Sequence, residues 1–96
     1  MKQFFLVIYS SSSAARKICS SNFFCSSHQL FDNCYVGELE RDQIIECTEL
    51  RTELMKIESS RMMVIRLDAD FTSAWYLSDE ANKYLTSIFK NIHNGK

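Results

Sequence analysis

The stretch "HQLFDNCYVGELERDQIIECTELRTELMKIESSRMMVIRLD", His28 to Asp68, changes its hydrophobic period twice, and those changes decide the fold. From His28 to Glu40 the residues that favour strands are dense. A break at Asp32-Asn33 predicts two short strands joined by a tight turn or bulge. From Arg41 to Ser60 the spacing becomes helical: Ile44, Cys47, Leu50, Leu54 and Ile57 form one stripe. Asp42 stands at its start, and Glu49, Arg51, Glu53 and Lys56 decorate the solvent side. Arg61 to Asp68 then reads as another buried strand.

Upstream, Gln3 to Tyr9 ("QFFLVIY") is apolar almost without interruption, which predicts a central strand covered on both faces or held at an interface. Ser10 to Ser13 supply N-cap hydroxyls for a helix beginning near Ala14. Ala14, Ala15, Ile18, Cys19 and Asn22 follow at helical spacing, and the helix fades over 20–24. Downstream, one short extra strand is expected within Thr72–Leu77. A helix over Asp79–Ile92 follows, with Ser78 as N-cap and Asp79 and Glu80 near the positive end of its dipole. Its apolar face is Leu77, Ala81, Tyr84, Leu85, Ile88 and Ile92.

The predicted order is β-α-β-β-α-β followed by a short strand and a helix. This is the α+β, ferredoxin-like split βαβ arrangement, with an antiparallel sheet and two helices on one face. A chain of 96 residues makes one such domain. Its core covers about residues 3–68 and its extension about 72–92.

Composition narrows the function. Seven Phe, four Tyr and one Trp supply large core side chains, so no metal or disulfide staple is required. With no Pro and two Gly (Gly37 and Gly95), glycine-rich phosphate loops and dinucleotide fingerprints are excluded. No apolar run approaches membrane-spanning length, and the apolar start is too short for a signal peptide. No membrane association and a cytoplasmic location are therefore expected. Cys19, Cys25, Cys34 and Cys47 form no CxxC pair, and only two His accompany them, so four reduced thiols are expected. Net charge is −1, but it is uneven. Residues 1–31 carry Lys2, Arg16 and Lys17 and no acid, whereas residues 32–58 are rich in acids.

The chemistry-bearing residues are sparse. Asp68 and Asp70, two apart after a strand, have the ligand type for Mg²⁺ but are too few for a hard-cation site. His28 lacks an assignable nucleophile, and no G-x-S-x-G elbow is present. Arg16 and Lys17, in the first turn of the first helix, suit phosphate contact, with Ser11 and Ser12 as hydrogen-bonding neighbours. Trp75 and Tyr76 suit base stacking or packing at an interface.

The run "NCYVGELE" (33–40), the acidic-basic helix after it and the strand "SSRMMVIRLD" resemble the CRISPR-associated protein 2 family. Members show a Ser-Val-Phe-x-Gly-Glu-Leu-like strand there. Asn33, Cys34 and Tyr35 stand for its first three residues, and Gly37, Glu38 and Leu39 match. The apolar first strand, the "AARK" helix and the length also fit, over about residues 3–68.

The resemblance implies a homodimer of ferredoxin-like subunits, with the strand at 72–77 added to the partner's sheet. That dimer would sit between CRISPR-associated protein 1 integrase dimers and hold double-stranded DNA by its phosphates during spacer acquisition. Arg16 and Lys17 map to that contact, with Lys2, Arg61 and Arg66 as lesser positions. Some members are Mg²⁺-dependent nucleases that use an aspartate at the end of the first strand. Here Ser10 occupies that place, and a neutral hydroxyl is a poor Mg²⁺ ligand. The expected function is thus a DNA-binding scaffold without metal-dependent cleavage. The alternatives are a small metal-dependent endonuclease or ribonuclease of the same fold, and a non-catalytic interaction module that mimics the family.

Overall fold

The computed structural model describes residues 1–68 and 79–95, with residues 91–95 described by backbone alone. Its strands are β1 (Lys2–Tyr9), β2 (Ser26–Phe31), β3 (Cys34–Glu40) and β4 (Met62–Leu67). The helices are α1 (Ser12–Ser20), α2 (Cys47–Ile57) and α3 (Asp79–Gly95). The strands form an antiparallel sheet in the order β2-β3-β1-β4. Two split β-α-β units therefore interleave: β3 lies between β1 and β2, and β1 lies between β3 and β4. This is the ferredoxin-like α+β fold that the periodicity predicts.

The continuous apolar character of β1 has a direct structural cause, because the strand is central and covered on both sides. Phe5, Val7 and Tyr9 face α1 and α2 and pack with Ala14, Ala15, Ile18, Leu50 and Leu54. Phe4 and Leu6 point the other way, into a second cluster with Val36, Leu67, and Leu85 and Ile88 of α3. The helices α1 and α2 share one face, as the sequence predicts. The C-terminal helix, α3, covers part of the opposite face.

Several local expectations need correction. The second helix begins at Cys47, not at Arg41 or Asp42. Residues 41–46 are held out of helical conformation because the buried Gln3 side chain takes their backbone groups. Its Nε2 donates to the Gln43 carbonyl at 2.9 Å, and its Oε1 accepts from the Ile45 N–H at 3.0 Å. The helix then starts where Glu49 Oε1 accepts the Glu46 N–H at 3.0 Å. Consequently Ile45 is buried at 6% exposure, and Ile44, expected on the apolar stripe, is 59% exposed.

The first helix starts earlier than Ala14. Ser11 is its N-cap, its Oγ accepting from the Ala14 N–H at 3.3 Å. The helix ends at Ser20, and Asn22 takes a left-handed φ of 61°, a conformation Asn tolerates. Asn22 is therefore not on the apolar stripe, and Cys19 is exposed. All four cysteines are free thiols, of which only Cys34 is fully buried.

Gly37 is required by packing. A Cβ there would stand 2.6 Å from the Phe24 ring, which lies flat against this point of β3 and meets Tyr35 edge-on. The expected strand at 72–77, with Trp75, Tyr76 and the Ser78 cap, lies outside the described residues.

Candidate functional site

The strand register fixes which candidate residues share an end of the sheet. Tyr9 pairs with Met62 and Phe4 pairs with Leu67, so Ser10 and Asp68 follow opposite ends of β1. At ~3.3 Å per residue they stand roughly 20 Å apart. They cannot ligate one ion, so Asp68 is no replacement for the carboxylate missing at Ser10. Asp70 lies outside the described residues. Among the described residues, no group of three or more His, Cys, Asp or Glu is placed to hold a metal.

The Ser10 end gathers a different set. The Ser10 N–H donates to the Arg61 carbonyl at 2.9 Å. The β2–β3 turn closes the other side, where Asn33 Nδ2 donates to the Tyr9 carbonyl and the Tyr9 N–H donates to the Asn33 carbonyl. That turn also brings the exposed Asp32 to this end. Ser10, Ser11 and Ser12 lead from here into α1, which carries Arg16 and Lys17 along its exposed side.

The five candidate cations separate clearly. Arg16 is exposed and forms no ion pair among the described residues. Arg61 is exposed beside Ser10. Lys17 is exposed but pairs with Glu58 at 3.4 Å. Hydrogen bonds from the Ser60 hydroxyl and from Lys17 hold the Glu58 carboxyl below its usual range. Lys2 lies at the opposite end of β1 and pairs with Glu38 at 3.2 Å.

Arg66 is a structural residue. Its Nη1 donates to Gln3 Oε1, its Nη2 donates to the Ile45 carbonyl, and its guanidinium lies 4.9 Å from the Phe5 ring centroid. Sequence reasoning counted it among the phosphate contacts because a strand arginine gives no sign of which face it occupies.

His28 serves packing as well. Its ring stacks on Tyr84 of α3, with centroids 4.2 Å apart and planes inclined by 11°. Burial, with Glu38 nearby, pushes the Tyr84 phenol up to about 12. The His93 side chain lies outside the described residues.

One apolar row was not legible in the sequence. Phe31, Cys34, Ile8 and Met63 are successive partners across four strands and so share one face. Phe31 is 57% and Met63 58% exposed, beyond the part of that face that α3 covers. Among the described residues, no helix is long and apolar enough to cross a membrane.

Comparison with protein-family models, curated proteins and solved structures finds no match to this chain.

Proposed function

We propose that the protein is a nucleic-acid-binding scaffold similar to CRISPR-associated protein 2, holding double-stranded DNA by its phosphates without metal-dependent cleavage of its own. The observation that carries this reading is the composition of the Ser10 end. Serine hydroxyls lead from there into α1, whose later turns, rather than its first, carry the exposed Arg16 and Lys17, and Arg61 flanks Ser10, while Asp68 stands at the far end of the sheet. Hydroxyls and cations suit phosphate oxygens, and among the described residues the carboxylates near this end, Asp32 and the Lys17-paired Glu58, belong to no group of three or more ligands placed to hold the metal a Mg²⁺ nuclease needs.

In this reading the functional unit is a homodimer, working with a CRISPR-associated protein 1 integrase in antiviral defence within the cytoplasm. Exposed Phe31 and Met63, at the two ends of the row through Cys34 and the partly buried Ile8, support the dimer, since a second copy would remove that apolar surface from water. The four free thiols fit a reducing compartment.

The test is duplex binding as a function of salt. Neutralising about three phosphates per subunit with Arg16, Lys17 and Arg61 gives a log–log salt slope of about −3 per subunit. Arg16→Glu should weaken binding by at least about tenfold, since it replaces an attractive charge by a repulsive one. Lys2→Glu, at the other end of the sheet, should change it little. Equal losses from both variants would refute the assignment of the site. Cleavage that requires Mg²⁺ and disappears in Asp68→Ala would favour the nuclease alternative.

A further inference from the structure

A cleft of about 140 Å³ opens between α1 and the β2–β3 hairpin, lined by Ala15, Arg16, Cys19, Ser20, Gln29 and Tyr35. Every polar side chain in this lining carries a hydrogen-bond donor, and none is a carboxylate. Gln29 and Tyr35 are direct partners across β2 and β3, so they present to the same face, the one α1 covers.

Tyr35 has no exposed surface, and its hydroxyl has no hydrogen-bond partner. Such groups are rare in folded proteins, because an unpaired buried hydroxyl forfeits the bonds it made to water. The Tyr9 ring stacks against it with centroids 6.3 Å apart, and the Tyr9 hydroxyl is unpaired too. The two phenol oxygens lie close enough for each to perturb the other's ionisation, yet neither has a partner of regular hydrogen-bond geometry. Burial raises the Tyr35 phenol well above its ordinary range, so it stays a protonated donor.

We propose that this cleft binds a phosphate monoester, free or as the terminal phosphate of a nucleic-acid strand. Arg16 supplies the charge, and the Gln29 amide and Tyr35 hydroxyl supply neutral donors. A cleft of this volume accommodates a phosphate group with accompanying water. Because it closes on Tyr35, it suits a terminal group better than a backbone passing through. The inference rests on reading Arg16 as a phosphate contact and adds what that contact selects. Strand ends would be seated here, while Lys17 and Arg61 hold the duplex backbone.

The experiment compares three probes on the intact protein: inorganic phosphate, a short duplex with 5′-phosphates, and the same duplex with 5′-hydroxyls. Tyr35→Phe removes one oxygen and keeps the ring. Gln29→Ala, on an exposed edge strand, gives an independent variant that leaves the core alone. Saturable phosphate binding is expected, weakened about fivefold by either variant, as loss of one neutral hydrogen bond implies. The 5′-phosphorylated duplex should bind more tightly than the 5′-hydroxyl duplex, and Tyr35→Phe should erase most of that difference. The thermal midpoint of Tyr35→Phe should not fall, because the hydroxyl is unpaired in the free protein.

If both duplexes bind equally and neither variant matters, the cleft proposal is overturned and Arg16 remains a backbone contact. If phosphate binds and the variants weaken it but no duplex binds, the cleft stands and the duplex-scaffold reading falls. No binding of any probe overturns both.

Discussion

Arg66 donates from Nη1 to the side-chain oxygen of Gln3 at 3.1 Å, joining β4 to the neighbouring β1. The same Gln3 oxygen accepts the Ile45 N–H, and Arg66 also reaches the Ile45 carbonyl. Two side chains thus replace the helical hydrogen bonds that residues 43–45 forgo.

Removing the hub should be costly. Gln3→Leu leaves the Ile45 N–H and the Gln43 carbonyl without partners, and an unpaired buried group costs about 1–3 kcal/mol. Arg66→Met keeps the bulk over Phe5 and should cost less. Urea unfolding measures both; equal and negligible losses would show that the network carries no stability. Neither variant should alter the salt slope of duplex binding, which separates Arg66 from Arg16.

Gly37→Ala should destabilise by about 1–3 kcal/mol, the usual cost of overpacking. Its Cβ would meet the Phe24 ring at 2.6 Å. The double variant Gly37→Ala with Phe24→Leu should recover part of the loss on unfolding, because a smaller, flexible side chain can yield. A Gly37→Ala protein as stable as the parent would exclude this contact.

Stability should fall at alkaline pH. Burial pushes Tyr9 and Tyr84 up to about 12, against 10.0 for the free phenol. Both groups are neutral in folded and unfolded chains below pH 10, so their contribution is complete there. Between pH 10 and 12 the unfolded chain ionises while the fold resists, and stability drains away. Unfolding curves taken across this range, with phenolate absorbance as the probe, should show ionisation accompanying unfolding. In a Tyr76→Phe background, phenolate absorbance that rises at pH 10 in a still-folded protein would contradict the burial of these rings.

Glu58→Gln should tighten duplex binding by no more than a few fold, because an exposed charge pair is screened by solvent. The substitution frees Lys17 from its 3.4 Å pairing with Glu58. It should also flatten the acid limb of stability. A carboxyl held below 4.5 contributes above that pH and loses its contribution as pH falls through its folded value. Unchanged binding would show that Lys17 takes no part in the interface.

Ser11→Ala should cost about 1 kcal/mol by loss of the N-cap, whereas Ser10→Ala should cost little. Ser11 Oγ accepts the Ala14 N–H, and only the backbone of Ser10 bonds to Arg61. Helix content and thermal midpoint distinguish the two.

The legibility of this chain follows the range of the interactions involved. The run Gln3–Tyr9 announced a strand buried on both faces because an uninterrupted apolar run has no solvent side to offer. The break at Asp32-Asn33 and the stripe of Cys47, Leu50 and Leu54 were equally local signals. The start of α2 was not, because Ile44 and Ile45 are identical as residues, and the choice between them is made by Gln3, more than forty positions away.

The absence of a carboxylate at Ser10 was likewise plain from the sequence. That Asp68 cannot replace it follows from register, since β4 runs antiparallel to β1 and carries its end to the far side of the sheet. The sequence by itself determined the order of elements from β1 to β4 and most of the core positions on them, which depend on neighbours two to four positions apart. Only the tertiary structure decided that α3 covers the second face, that Arg66 is structural and that Arg16 borders a cleft ending at an unpaired tyrosine. Each of these depends on strands pairing across long loops, and local periodicity carries no record of which distant side chain arrives opposite.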